Sequence, residues 1–173
     1  MPIVHFRVDG RLIHGQVALA WSKMTNPNHI IVANDMVAQD KNQQAILKLA
    51  APKQVRLSMQ PVDKVIAYLN RGLATNERVF LLVKDVVDAN RIYEGGFKHM
   101  DLNVGNMTHK PNAKKLSEKL FVTEKEFEAL KSLLEKGVNC YFQMIPTDSK
   151  QDIKPLVESF KGWFNLAYGN FTI

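Results

Sequence analysis

Apolar segments of strand length alternate with segments of helical periodicity along most of the chain. The apolar and β-branched runs predict strands at residues 3–8, 29–33, 55–59, 78–83, 100–104 and 138–145. The 3.6-residue patterns between them predict helices at about residues 15–24, 36–51, 61–69, 86–93 and 124–136. On the first helix, the predicted apolar face consists of Val17, Leu19, Ala20, Trp21 and Met24. Residues 114–122 fit a short or edge strand without excluding other structures.

Polar caps mark several helix starts. Asn34 or Asp35 is placed to cap the second helix, and Asp85 to cap the fourth. Thr123 and Glu126 have the spacing of a capping box, with the glutamate three residues after the threonine. These signals place helix boundaries where the periodic patterns also change, so the two kinds of evidence agree.

Strands that alternate with helices favour an α/β fold, an open, twisted and mostly parallel sheet with helices on both faces. The length of 173 residues suits one domain over residues 1–173, and no linker or repeat divides it. Ligands of such sheets bind beyond the carboxyl ends of the strands. The loops at that edge are residues 9–14, 34–35, 84–85, 105–107 and 146–148.

Composition indicates an ordinary globular protein of the cytoplasm. Hydrophobic residues make up 46% and charged residues 23% of the chain. No apolar run approaches the length of a membrane span and no signal peptide begins the chain, so we expect no membrane insertion. The one cysteine, Cys140, lies in an apolar run and predicts a buried, inert thiol.

The net charge of +6 favours anionic partners. Nucleic acid is not expected among them, because the lysines are scattered and the densest cluster, residues 110–119, contains no aromatic residue for base stacking. A solvated basic face explains this cluster. Docking to an acidic or phosphorylated protein explains the charge equally well.

The loop after the first strand carries the candidate chemistry. His14 lies at a predicted helix start, where unpaired N–H groups and a partial positive charge favour an anion. A neutral imidazole is a nucleophile, and Arg11 supplies a charged fork for phosphate oxygens. Gly15 permits a close approach of phosphate, and Asp9 can orient a side chain or hold Arg11. These neighbours favour a phosphate-linked role, although a histidine that merely packs at a helix start stays possible.

Other kinds of site lack support in the sequence. No histidine pair or Cys/His spacing fits a metal site, and no phosphate-binding glycine pattern for nucleotides is present, so we expect neither metal nor cofactor. His5 and His29 lie in strands and are interpreted as structural, whereas His99 and His109 are expected at the surface. Aromatic residues in the tail are expected in the core or at an oligomer contact; these are Phe160, Trp163, Phe164, Tyr168 and Phe171.

Residues 7–17, with the sequence RVDGRLIHGQV, closely resemble the phosphorylation-site signature of the enzyme IIB components of the sugar phosphotransferase system, in the mannose/fructose/sorbose family. Further blocks follow in the order of that family, at residues 30–35, 50–52, 102–107 and 143–148. The resemblance therefore spans most of the chain, from residue 4 to about residue 148.

The resemblance implies a phosphocarrier. In this family, a phosphohistidine on the IIA component donates its phosphoryl group to the IIB histidine, here His14, generally at Nδ1. The histidine then passes it to a sugar bound by the membrane components IIC and IID. By position, Arg11 stabilises the phosphate, and the remaining loop residues complete the site: Asp9, Gly10, Leu12, Ile13, Gly15 and Gln16.

Two features depart from the family or lie outside the resemblance. Many members have an aspartate at the position of Gly10, and nothing is transferred to the tail after residue 148. No IIA sequence precedes residue 1, so the IIA partner is expected on a separate polypeptide or a different fusion.

The sugar stays open among mannose, fructose, sorbose and amino sugars such as N-acetylgalactosamine. A binding module that keeps the fold without transfer is the second hypothesis, and a nucleic-acid-binding protein the third.

Overall fold

The computed structural model describes residues 3–72, 74, 76–98, 101–107 and 109–161, apart from the side chains of Gln16 and Val17. The strands of this part are β1 (Ile3–Val8), β2 (His29–Ala33), β3 (Arg56–Gln60), β4 (Val79–Val83), β5 (Leu102–Val104), β6 (Lys114–Ser117), β7 (Leu120–Val122), β8 (Cys140–Phe142) and β9 (Gln151–Asp152). The helices are α1 (Gly15–Thr25), α2 (Lys41–Ala50), α3 (Val62–Asn70), α4 (Val86–Glu94), α5 (Glu124–Glu135) and α6 (Lys154–Ser159).

The main sheet has the strand order β3-β2-β4-β1-β5-β8-β9. Neighbouring strands pair in parallel from β3 to β8, and β9 adds an antiparallel edge. Every residue of β2 and β4 is buried, as expected for parallel strands covered on both faces. The predicted open α/β fold is confirmed.

Alternate residues of the strands belong to two separate hydrophobic cores, one on each face of the sheet. Ile30 and Val32 pack with Phe80 and Leu82 against α1 and α2, on one face. The residues between them, such as Ile31 and Leu81, belong to a larger core with α3, α4 and α5 on the other face. On the α1 face, β1 and β5 carry polar residues in place of apolar ones, namely His5, Arg7 and Asn103, which are buried. Gln143, which directly follows β8, is buried as well.

The second helix begins later than its periodicity predicts. It starts at Lys41 because the Asp40 side chain accepts hydrogen bonds from the N–H groups of Asn42 and Gln43. Neither Asn34 nor Asp35 caps it: Asn34 Oδ1 accepts from Val37, and Asp35 Oδ1 accepts from Val62 at the start of α3. The predictions for Asp85 and for the capping box of Thr123 and Glu126 are confirmed.

Three further predictions need correction or completion. The strand at 138–145 is limited to Cys140–Phe142. Its start is later because the N–H of Val138 donates to the Leu133 carbonyl of α5, and its end is earlier because the carbonyls of residues 143 and 144 bind a buried side chain. On α1, Leu19 and Met24 are exposed while Ala18 and Trp21 are buried, so the apolar face was partly wrong. Residues 114–122 form the antiparallel β6–β7 hairpin.

Burial confirms the prediction for Cys140 and raises the pKa of its thiol to about 12. His109 is exposed, as predicted, and Phe160 packs on Phe127. His99 and the aromatic residues after Phe160 lie outside the described residues. Across the described ranges, no helix is long and apolar enough to cross a membrane.

Candidate functional site

The loop that follows β1 is fixed at both ends. The N–H of Asp9 donates to the Val83 carbonyl over 2.9 Å, and the N–H of Gly10 donates to the Asn106 carbonyl over 2.7 Å. Leu12 has a left-handed backbone with φ of 57°, and its N–H donates to the Asp9 carbonyl over 2.8 Å. Leu12 and Ile13 are buried in the core beneath α1 and α2. Two apolar side chains thus anchor a tight turn whose polar residues lie at the carboxyl edge of the sheet.

His14 is the N-cap residue of α1, with an extended backbone. Its imidazole retains 21% exposure, and its Nε2 atom lies 3.3 Å from Asp9 Oδ1 and 3.4 Å from Asp9 Oδ2. The His14 side chain accepts no hydrogen bond from the first N–H groups of α1. Gly15 follows with φ of 40°, and its α-carbon borders open space. A partly exposed histidine therefore lies at a helix start that has room for an anion.

Arg11 lies on the exposed side of the loop. Its backbone N–H donates to Asp9 Oδ1 over 3.1 Å. Within the described part of the chain, its guanidinium makes no hydrogen bond or ion pair. The predicted alternative in which Asp9 holds the Arg11 side chain is therefore replaced by a contact with the backbone of Arg11.

Asp9 is held instead by Arg7, whose side chain is 1% exposed. Arg7 Nη2 donates to Asp9 Oδ2 over 2.9 Å, and Arg7 Nε donates to the same oxygen over 3.3 Å. The guanidinium also donates to the Asn103 side chain and to the carbonyls of Gln143 and Met144. Burial lowers the pKa of Arg7, and the Asp9 charge opposes that effect. Partners on three segments thus satisfy a buried cation, as its burial requires.

Two neighbours shape the space around this guanidinium. Gly105 lies so close to Arg7 that a methyl group on its α-carbon would overlap the guanidinium. The Trp21 ring centroid lies 5.3 Å from Arg7 Cζ, and Trp21 Nε1 donates to the Met144 carbonyl over 3.0 Å. The Arg7 position therefore depends on a glycine and on an aromatic residue of α1.

His5 is part of the same buried layer and does not reach the loop. Its ring stacks on Trp21 at a centroid distance of 4.1 Å. Burial, and secondarily the Arg7 charge, lower its pKa to about 3. The imidazole is consequently neutral at physiological pH, which agrees with the structural role predicted for it.

The structure unites some of the predicted edge loops and separates others. The predicted loop at 105–107 contributes the Asn106 carbonyl to Gly10. The predicted loop at 146–148 contributes indirectly: carbonyls of Pro146 and Asp148 accept from the Gln143 side chain, and the carbonyls of residues 143 and 144 bind Arg7. Asp35 and Asp85 instead accept hydrogen bonds at the starts of α3 and α4. The side chain of Gln16 lies outside the described residues. Over the described ranges, no cluster of three or more His, Cys, Asp or Glu side chains is arranged for a metal.

Sequence reasoning included Arg7 in the signature but gave it no role. The available signal was its place in an apolar strand, two residues before Asp9, since residues i and i+2 of a strand share a face. A charged residue at such a position needs a buried counter-charge. Asn103 and the carbonyls of residues 143 and 144 gave no comparable signal.

Comparison with known proteins identifies one family. The model of the family described as "PTS system sorbose subfamily IIB component" matches residues 3–164. The mannose-specific EIIAB component of the same system (PTS) from Escherichia coli K12 is 37% identical over 151 residues, covering 87% of this chain and 47% of that protein. The chain thus spans about half the length of that relative. The sorbose-specific EIIB component of Lacticaseibacillus casei is 32% identical over 162 residues, covering 94% of this chain and 99% of that protein.

Solved structures agree in fold. The IIBSor domain of the sorbose permease from Klebsiella pneumoniae superimposes with a TM-score of 0.85 at 29% identity, covering 91% of this chain and 97% of that one. The N-acetylgalactosamine-specific IIB component 1 from Escherichia coli gives a TM-score of 0.81 at 30% identity, covering 87% and 98%. Similarity in sequence and in structure therefore extends well beyond the loop around His14.

Proposed function

Because the chain belongs to the sorbose subfamily of IIB components of the phosphotransferase system, we propose that His14 accepts a phosphoryl group from a IIA component and passes it to a sugar. The proposal treats residues 1–173 as one IIB domain located in the cytoplasm. The observation that carries it is the contact between His14 Nε2 and the Asp9 carboxylate, at 3.3 and 3.4 Å.

That contact selects one tautomer of the imidazole. An ionised carboxylate only accepts hydrogen bonds, so the nitrogen that faces it carries the proton. With the proton on Nε2, the lone pair available for attack is on Nδ1. The positive charge that the ring gains when Nδ1 forms the new bond is then stabilised by the Asp9 charge. Asp9 is thus assigned an orienting and electrostatic role in the transfer.

The surroundings of His14 suit a transferred phosphoryl group. The N–H groups at the start of α1, which the His14 side chain leaves uncapped, are donors for its oxygens. The Arg11 guanidinium on the same loop has no ion-pair partner among the described residues and is a further donor. Phosphoryl transfer depends mainly on positioning and on charge stabilisation. The Nδ1 lone pair attacks phosphorus, the donor's P–N bond breaks, and the donor imidazole recovers its electron pair. No cofactor is needed for this step.

The partial exposure of His14 supports transfer between proteins. A phosphocarrier has to admit two different partners in turn, here the IIA donor and the sugar-bound IIC and IID components in the membrane. Relatives are named for mannose, sorbose and N-acetylgalactosamine. We propose that the acceptor is a hexose or amino sugar of the same kind.

Incubation with a phosphorylated IIA protein tests the proposal. We expect the chain to take up acid-labile, base-stable phosphate, and we expect His14→Ala to take up none. A binding module that retains only the fold predicts no uptake by the wild-type chain. Uptake by His14→Ala equal to that of wild type would place the phosphate elsewhere and reject the assignment of His14.

A further inference from the structure

A second candidate site lies at the edge of the sheet, away from His14. A groove of about 520 Å³ runs between the edge strand β3 and helix α3. Its floor carries Arg56, Ser58 and Gln60, which alternate along β3, and its walls include Val65 and Tyr68 of α3. The volume lies in the range of small-molecule sites, and mixed apolar and polar walls are typical of them.

Two positive charges of the groove have no acidic partner in the part of the chain that the structure describes. Lys64 and Arg71 of the α3 segment both line it, and neither forms an ion pair within the described ranges. They lie seven residues apart, which is about 10 Å along a helix axis. The third cation, Arg56, is already engaged by Glu77 and by His29 Nδ1. Lys64 and Arg71 are therefore the cations available to an incoming anion.

Hydrogen bonds around His29 leave the Ser58 hydroxyl as a hydrogen-bond donor on the floor of the groove. His29 Nδ1 accepts from Arg56 Nη2 over 2.7 Å, which leaves the ring proton on Nε2. Nε2 lies 2.8 Å from Ser58 Oγ and donates to it. The Ser58 hydroxyl hydrogen is then free to point into the groove. Glu77 is also occupied, since it accepts from the Tyr68 hydroxyl over 2.6 and 2.7 Å.

We propose that this groove binds a small organic phosphate with a second anionic group, such as a sugar bisphosphate. One anionic group would pair with Arg71 and the other with Lys64, two turns away on the helix. The polar body between them would contact Ser58 and Gln60 and cover the apolar walls. The inference is independent of phosphoryl transfer by His14, because His29 and Arg56 begin their strands whereas His14 follows the carboxyl end of β1.

A titration of the full ¹⁵N-labelled chain with fructose 1,6-bisphosphate, followed by amide chemical shifts, tests the proposal. We expect saturable shifts at Ser58, Ala67 and Tyr68. The dissociation constant for the bisphosphate should be about tenfold lower than for fructose 6-phosphate, since one charge-assisted contact is lost with the latter. Inorganic phosphate should bind more weakly still.

Variants of matched charge separate this site from general attraction to a basic protein. Lys64→Met and Arg71→Met should each weaken bisphosphate binding about tenfold, whereas Lys48→Met on α2 should leave it unchanged. His14→Ala should also leave it unchanged, which distinguishes the groove from a phosphate site at the loop. Absence of saturation, shifts confined to residues 9–15, or equal weakening by all three charge variants would overturn the proposal.

Discussion

The imidazole of His14 directs its Nε2 atom to a carboxylate, Asp9, that is itself buried and held by Arg7. The exposed fractions of the side chains fall from 21% for His14 to 1% for Asp9 and 1% for Arg7. The candidate nucleophile is thus at the surface while the groups that orient it are inside. This arrangement permits contact with partner proteins without loss of a defined ring orientation.

Replacement of Asp9 by asparagine should disturb both the orientation of His14 and its reaction. We expect phosphoryl uptake from phosphorylated IIA to slow by roughly 10- to 100-fold, by analogy with the loss of a group that orients a metal-ligating histidine. Stopped-flow or quench-flow measurement of the phosphorylated fraction gives the rate. Long-range ¹H–¹⁵N correlation spectra should locate the ring proton on Nε2 in the wild-type chain and the phosphate on Nδ1 after transfer.

The same variant leaves the Arg7 guanidinium without its carboxylate, so stability has to be followed alongside activity. Breaking a buried pair costs about 3–5 kcal/mol, and circular dichroism establishes whether the variant is folded at the assay temperature. A folded Asp9→Asn chain with unchanged rate and an unchanged Nε2–H signal would exclude an orienting role for Asp9.

Arg11→Ala should slow phosphoryl transfer while leaving the stability of the fold nearly unchanged. The Arg11 side chain is exposed and forms no ion pair among the described residues, so we expect a change in the free energy of unfolding within about 0.5 kcal/mol. The transfer rate through His14 should nevertheless fall by about 10-fold or more, because a charge-assisted hydrogen bond to phosphate is lost. Rates from single-turnover assays with phosphorylated IIA provide the measurement.

Arg78→Ala provides a comparison for the loss of an exposed arginine away from the loop. Its side chain donates to the carbonyls of Thr25 and Asn26. Arg78→Ala should leave the rate of phosphoryl transfer unchanged while lowering the free energy of unfolding. Transfer by Arg11→Ala at the wild-type rate would remove Arg11 from the mechanism.

Much of the fold is predictable from local sequence. β2 and β4 are unbroken apolar runs, and Asp85 and the capping box at Thr123 mark helix starts by hydrogen bonds within three residues. The start of α2 was mispredicted because Asp40 offers a better cap than the residues at which the periodicity begins. The last predicted strand is shortened because the carbonyls of residues 143 and 144 bind Arg7.

The candidate site likewise has a part that local sequence predicts and a part that depends on contacts between distant residues. The loop at residues 9–15 is contiguous, so its histidine, arginine and glycines could be selected from sequence. The support beneath it could not, since Arg7 meets Asn103 across 96 residues and the Gln143 carbonyl across 136 residues. Only the pairing of β1 with β5, and of β5 with β8, brings these groups together.

Gly105 should tolerate no side chain while Arg7 occupies its observed position. Gly105→Ala places a methyl group on the guanidinium, and we expect a loss of about 1–3 kcal/mol in the free energy of unfolding, measured by urea denaturation. Displacement of Arg7 should also slow phosphoryl transfer, because Asp9 loses its support.

A double-mutant cycle identifies the clash as the cause. In the background Arg7→Met/Asp9→Asn, which lacks both charges, Gly105→Ala should cost at least about 0.5 kcal/mol less than in wild type. An identical cost in the two backgrounds would mean that the alanine acts on the backbone of Gly105 and not through Arg7.

His5 should make stability depend on pH. Its pKa is about 3 in the folded chain against 6.5 in the unfolded chain, so the unfolded state binds the additional proton between these values. The stability that the neutral His5 contributes is therefore fully present above pH 6.5, and this contribution is lost as the pH falls toward 3. Between pH 7 and pH 5 this one group should remove about 2 kcal/mol from the free energy of unfolding.

Urea denaturation at both pH values should give a smaller difference in the free energy of unfolding for His5→Gln than for wild type. His109→Gln, which removes an exposed imidazole, should keep the wild-type difference. An unchanged difference in His5→Gln would show that the pKa of His5 is not lowered in the folded chain.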